Sequence, residues 1–248
     1  MNWCWVALIT LLAQLAADAP AQALQPWPGV PILMYHRVDP IVPHDAVGRS
    51  LTVDPQEFEA SLAWLKAHAV RSMTTLELVD ALKRGERPRD AVVLSFDDGY
   101  EDAATVVMPL LVKYGARASF YVSAGLIGTP RHLSWRELRA MRAQGMEIGC
   151  HGSRHLDLTT LSRDGKVSEI GHCATTLTRY LVTPRTYAYA AGRYDAAAMA
   201  VLTQFGFEAA LTEHPGTVRS IAKLLELPRR RIDRNSSLAT FAHLISAK

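Results

Sequence analysis

The sequence predicts an α/β fold, a distorted (β/α) barrel of about seven parallel strands in a single domain. Short apolar runs such as Ala91–Phe96 and Ala118–Val122 alternate with helix-like stretches about seven times, over short connections. Residues that carry chemistry recur just past the ends of those runs: His36, Asp97, Asp98, His151 and His155. In a barrel all the C-terminal strand ends open on one face, where active sites lie. No Gly-x-Gly-x-x-Gly or Walker pattern follows any run, which removes the support for a nucleotide-binding open sheet.

Residues 1–23 stand apart from the rest. Trp3 to Ala17 is apolar, and Ala21-Gln22-Ala23 gives a small-x-small cleavage pattern ahead of Leu24. Gln14 and Asp18 interrupt a run that falls short of the roughly 20 apolar residues of a membrane span. The expectation is a cleaved export signal over 1–23 and a catalytic domain over 24–248, secreted or periplasmic. An uncleaved anchor is the rival. No later stretch has the length to cross a bilayer.

Within the domain, Pro31–Tyr35 reads as a strand that ends at His36-Arg37. Pro40, Pro43 and Gly48 make 39–51 a loop. Asp54 caps a helix starting at Pro55, with Phe58, Leu62 and Leu65 on one stripe. A short strand over Val70–Met73 and a helix over 75–84 lead to Ala91–Phe96. A helix over 102–114 stops at Gly115, and Ala118–Val122 is the next strand. Ser134 and Glu137 form a capping box for a helix through Gln144, with Gly145 as its stop. Glu147–Cys150 is a strand delivering His151, and 164–181 is helical. A strand at Tyr187–Ala190, a helix over 195–205, a strand at Ala209–Leu211, a weak strand near Arg231-Ile232 and a helix from Ser237 complete the chain.

The 248 residues are 49% hydrophobic and 21% charged, an ordinary globular balance. A net charge of +3, scattered along the chain, excludes nucleic acid as the expected partner, and Arg229-Arg230-Arg231 reads as a solvated face. Cys4 falls within the signal. Cys150 and Cys173 remain, and a disulfide and two buried free thiols are both open readings.

Asp97 and Asp98 are adjacent carboxylates at the end of an apolar strand. There like charges repel, so one is neutral or a cation sits between them. A surface Asp-Asp-Gly turn is the plainer alternative. Likewise His151 and His155 converge on one metal in a tight turn, or are two surface histidines. Together on one rim, a carboxylate and two imidazoles make a three-ligand set with a position left for water, as a catalytic metal site requires.

Ser95-Phe-Asp-Asp-Gly99 and His151-Gly-Ser-Arg-His155 resemble the two signature motifs of the polysaccharide deacetylases, carbohydrate esterase family 4. Leu33-Met-Tyr-His-Arg-Val38 and the segment Val53–Leu62 resemble the branch of exported poly-N-acetylglucosamine deacetylases. The resemblance implies that Asp98, His151 and His155 hold a divalent metal, Zn²⁺ foremost, that Asp97 is the general base and that His36 is the acid. It places the oxyanion-binding N–H on Ala191, with Tyr189 on the substrate side. The partner it implies is an N-acetylated polysaccharide. Apart from the resemblance, Tyr100, Trp135 and Tyr194 lie near strand ends, where aromatic rings stack on sugar faces, and core packing with Leu138 and Met141 is the plainer reading of Trp135.

The third motif departs from the family pattern. Tyr187-Ala-Tyr-Ala-Ala-Gly192 has Ala190 where the family has proline, and Ala188 where many members carry an arginine that orients the base. Arg229 or Arg231 is then the residue to reach that base from the C-terminal strand. The expected function is N-deacetylation of glycan hexosamines. O-acetyl ester hydrolysis and, on the strength of Ala190, a weakened glycan-binding module are the alternatives.

Overall fold

In the computed structural model, which describes residues 27–246, the sheet is assembled around Ala91–Phe96, every residue of which is buried. In chain order the strands are β1 (Ile32–Tyr35), β2 (Arg37–Val38), β3 (Thr52–Val53), β4 (Arg71–Met73), β5 (Ala91–Phe96) and β6 (Ser119–Val122). They continue as β7 (Glu147–Cys150), β8 (Thr186–Ala188), β9 (Ala209–Leu211) and β10 (Arg230–Arg231). One edge of β5 pairs with β1 from Ile32↔Val93 to Tyr35↔Phe96. Its other edge is shared: β4 takes Ala91–Val93 and β6 takes Ser95–Phe96. The order then runs β6-β7-β8-β9, with every ladder parallel.

The sheet curls back on itself. Leu227 N–H donates to the Ala210 carbonyl at 2.8 Å and Thr212 N–H to the Leu227 carbonyl at 2.9 Å. The same segment runs on into β10, which pairs with β1 at Leu33↔Arg230. Residues 227–231 thus bridge β9 and β1, which makes the distorted barrel that the alternation predicts.

Alternation along the strands divides the core in two. Leu33, Tyr35, Leu94, Phe96, Phe120 and Ile148 pack in the larger cluster with helical residues such as Phe58, Leu62 and Leu177. Their opposite-facing neighbours Ile32, Val93, Tyr121, Ala188 and Leu211 form a second cluster. Tyr35 and Phe120 stack on Phe96 with centroids 5.0 Å apart, so the strand that carries the carboxylates is held by aromatic neighbours on both sides.

The helices are α1 (Ala46–Leu51), α2 (Pro55–Ala67), α3 (Thr75–Lys83), α4 (Met108–Tyr114), α5 (Trp135–Ala143), α6 (Arg163–Tyr180), α7 (Ala196–Gln204) and α8 (Leu238–Ser246). Asp54 caps α2, Ser134 and Glu137 close a capping box on α5, and Asp195 caps α7. Segment 39–51 is not all loop. Asp45 accepts from Gly48 N–H and starts α1, after which β3 pairs with β2. Before α4, residues Ala103–Val107 take a π turn. Pro109 has no N–H for the fourth carbonyl before it, and wider winding relieves that misfit. Cys150 and Cys173 are disulfide-bonded, which settles the choice left open by their spacing. Arg229 corrects the reading of the basic run as a solvated face: it is 1% exposed. No helix among the described residues is long and apolar enough to cross a membrane. The proposed signal over 1–23 lies outside the described residues.

Candidate active site

Asp97 is still part of the ladder, its N–H donating to the Tyr35 carbonyl at 3.0 Å, and its side chain is 2% exposed. A buried carboxylate needs a partner, and Arg229 supplies a fork: Nη1 donates to Oδ1 at 2.8 Å and Nη2 to Oδ2 at 2.7 Å. Arg229 Nε donates to the Thr212 carbonyl at 2.8 Å, which fixes the guanidinium plane. Burial pushes the Asp97 carboxyl up, but the charge of Arg229 and the nearby imidazoles outweigh it and leave the pKa below its ordinary value. Arg229 is therefore the residue that reaches Asp97, whereas Arg231 pairs with Glu213 at 3.3 Å.

The next two residues turn sharply, with φ of +72° at Asp98 and +74° at Gly99. This left-handed pair sends the Asp98 side chain away from that of Asp97, which resolves the repulsion between them. Asp98 Oδ1 lies 3.3 Å from Nε2 of both His151 and His155. His151 N–H donates to the Val122 carbonyl at 2.9 Å, anchoring the loop start to β6. Its Nδ1 lies 2.7 Å from the Ala188 carbonyl. A carbonyl only accepts, so Nδ1 carries the proton and the Nε2 lone pair faces Asp98. His155, reached through φ of +59°, stands edge-on to His151 at 4.8 Å between centroids.

The ligand atoms of Asp98, His151 and His155 all lie within 4.8 Å of one another. Asp98 Oδ1 is buried and receives no hydrogen bond, although the Nε2 atoms of both imidazoles lie 3.3 Å away. A carboxylate oxygen and two imidazole nitrogens aimed at one point are electron-pair donors that suit a divalent cation.

His36, just past β1, is 8% exposed. Burial lowers its pKa, and the negative charges of Asp97 and Asp98 offset that in part. Tyr100 is packed against two neighbours, with the Arg37 guanidinium 3.7 Å from its ring centroid and His132 stacked at 5.5 Å. No sequence signal marked Arg37 or His132 as its partners. Ala191 is exposed and left-handed at φ +50°, inside a short turn over Ala190–Gly192. Tyr189 is placed differently from the rim position expected of it: it is fully buried, and its hydroxyl donates to the Leu225 carbonyl at 3.0 Å. Tyr194 stacks on that ring and Trp135 lies tilted against Tyr180 at 5.4 Å between centroids, so neither aromatic is free of partners.

A parallel barrel with an arginine-held carboxylate beside an Asp–His–His donor set on its C-terminal rim defines a barrel hydrolase. The chain belongs to the polysaccharide deacetylase family, whose model matches residues 84–210 and so takes in Asp97, Asp98, His151 and His155. It is 28% identical over 220 residues to a Bacillus subtilis (strain 168) protein assigned to the polysaccharide deacetylases, covering 88% of this chain and 76% of that one. A poly-β-1,6-N-acetyl-D-glucosamine N-deacetylase of Staphylococcus aureus is 28% identical over 129 residues, 49% of this chain and 44% of that enzyme. The Streptococcus pyogenes deacetylase PplD, solved in complex with acetate, superposes with a TM-score of 0.82 at 28% identity, covering 88% of this chain and 98% of that one.

Proposed function

We propose that this polysaccharide deacetylase is metal-dependent and removes N-acetyl groups from N-acetylglucosamine units of an extracellular or cell-wall polysaccharide, poly-N-acetylglucosamine first. One observation carries the reading: neighbouring carboxylates point apart, Asp98 toward the Nε2 atoms of two imidazoles and Asp97 into the fork of Arg229. Two acids in such different surroundings suit two different tasks. The substrate class is supported by the staphylococcal relative, named for that reaction.

Asp98, His151 and His155 would hold the cation, Zn²⁺ foremost for a nitrogen-rich donor set. A divalent ion there supplies Lewis-acid polarisation of an acyl carbonyl and makes water more acidic. Asp97, kept ionised by Arg229, takes the proton of the attacking water. His36 passes a proton to the departing sugar nitrogen, since an amide anion is too poor a leaving group. Such acid help is worth roughly 10²–10⁴ in rate. The Ala191 N–H would bind the oxygen that gains charge, and Tyr100, its ring packed against Arg37 and His132, would meet the sugar through its edge and hydroxyl. Residues 24–248 form the catalytic domain, exported by cleavage after Ala23, and a mature N-terminus at Leu24 by mass spectrometry is the expected result.

The test is acetate release from β-1,6-linked N-acetylglucosamine oligomers, abolished by chelator and restored by zinc. Release from O-acetylated xylan alone, or chelator-insensitive release, refutes the reading.

A further inference from the structure

We infer that α6 clamps the histidine loop at both ends, and that Glu169 on this helix is a positioning residue for the cation site. The inference rests on the functional reading above for the identity of the site. Residues 151–155 form neither helix nor strand, and Gly152 and His155 sit at φ +79° and +59°. A loop with two left-handed residues owes its shape to its neighbours rather than to its own backbone.

The neighbour is a buried acid. The Glu169 side chain is 0% exposed. Its Oε1 accepts from Arg154 N–H at 2.6 Å and Leu156 N–H at 3.4 Å, the two amides that bracket His155. A carboxylate shielded from water is costly unless donors reach it, so its burial is coupled to this one loop conformation. Gly152 makes the approach fit: a Cβ there would stand 2.7 Å from Glu169 Oε1. One helical turn further on, Cys173 is bonded to Cys150, the residue before His151. From the opposite side, Ala124 and Gly125 N–H groups donate to the Gly152 and Ser153 carbonyls at 3.0 and 2.8 Å. Glu169 Oε2 faces Arg154 Nε at 3.5 Å, an exposed side chain that adds little to the hold.

The two histidines are not equally secured. His151 is fixed by the Ala188 carbonyl, whereas the side chain of His155 is 40% exposed, so the bracket of amides is what sets its place. Partners that orient metal ligands change affinity by about 10–100-fold when removed.

The experiment is a competition titration of zinc against a chromophoric chelator. Glu169→Ala should bind zinc at least about 10-fold more weakly, while Glu169→Gln, whose amide oxygen still accepts both N–H groups, should stay within about 3-fold of wild type. A folded Glu169→Ala with wild-type affinity overturns the inference. Hydrogen exchange in the metal-free wild-type protein decides the same point if that variant does not fold. The Arg154 and Leu156 amides should exchange slowly, and exchange at the rate of an unstructured peptide overturns the clamp. A wild-type protein that binds no zinc sinks the functional reading, and the amide exchange then still decides the clamp.

Discussion

At the scale of single residues, the pair that matters most is Asp97 and Arg229, each almost without solvent contact. Removing one member of a buried pair leaves an uncompensated charge, at a cost of roughly 3–5 kcal/mol. Arg229→Ala should therefore melt well below wild type. Arg229→Lys keeps the charge but loses the fork, and at a site where a misplacement of about 1 Å costs on the order of 10²-fold it should lose turnover with a smaller stability loss. Equal turnover in Arg229→Lys and wild type would show that the aim of Asp97 is set elsewhere. Asp102 presents the opposite situation. It is 3% exposed, its Oδ2 accepts from Val38 N–H at 2.7 Å, and burial pushes its pKa from 3.8 to about 6 against the pull of Val38 and Arg37. A carboxyl whose folded pKa is raised favours the native state below its unfolded pKa, and that contribution is lost as pH rises through about 6. At pH 8 the ionised form thus costs up to about 3 kcal/mol. Asp102→Asn keeps an acceptor for Val38 and carries no charge, so it should raise Tm at pH 8 and leave it unchanged at pH 4. A gain of the same size at both values would assign the effect to packing rather than to ionisation.

At the scale of elements, local chemistry explains both what was legible in the sequence and what was not. Asp54, Ser134 with Glu137, and Asp195 announce their helices because a cap is a short-range hydrogen bond between residues two or three apart. The strands β5 to β7 announce themselves as apolar runs for a similar reason. The ladder of β2 with β3 has two residues a side, and α1 between them is six residues long with no buried side chain, so neither has a period to read and 39–51 looked like plain loop. Burial of a charge is not a local property either. Arg229 is the first of three arginines, and only the closing of the barrel by 227–231 carries it onto Asp97. Asp98, His151 and His155 were legible because their spacing and strand-end positions repeat a known pair of motifs. Glu169, one charge among several on an 18-residue helix, has no such mark. The disulfide belongs to this scale, since it ties β7 to α6 across a separation of 23 residues. Closing a loop of that length is worth about 3 kcal/mol through the unfolded chain. The double variant Cys150→Ala/Cys173→Ala should lose stability of that order in urea unfolding, and a midpoint equal to wild type would mean that the bond does not form in the purified protein.

At the scale of the whole molecule, the site is a meeting of strand ends that are far apart in sequence. His36 follows β1, Asp97 and Asp98 follow β5, His151 and His155 follow β7, and Arg229 comes from the segment that closes the ring. The donor set at Asp98, His151 and His155 exists only when β5 and β7 are held in place through β6. A cation that binds there binds the native chain and not the unfolded one, so it stabilises by mass action. With free zinc at about 100 times its dissociation constant the gain is about 2.7 kcal/mol. For a chain of this size that corresponds to a rise in Tm of roughly 5–10 °C. Thermal melts should show this difference between zinc-loaded and chelator-treated protein, and Asp98→Ala should melt at one temperature whether or not zinc is added. Because the variant removes one ligand and leaves His151 and His155 in the chain, it separates the site from zinc taken up at scattered surface histidines. A zinc-dependent rise that persists in Asp98→Ala would place the binding elsewhere on the molecule.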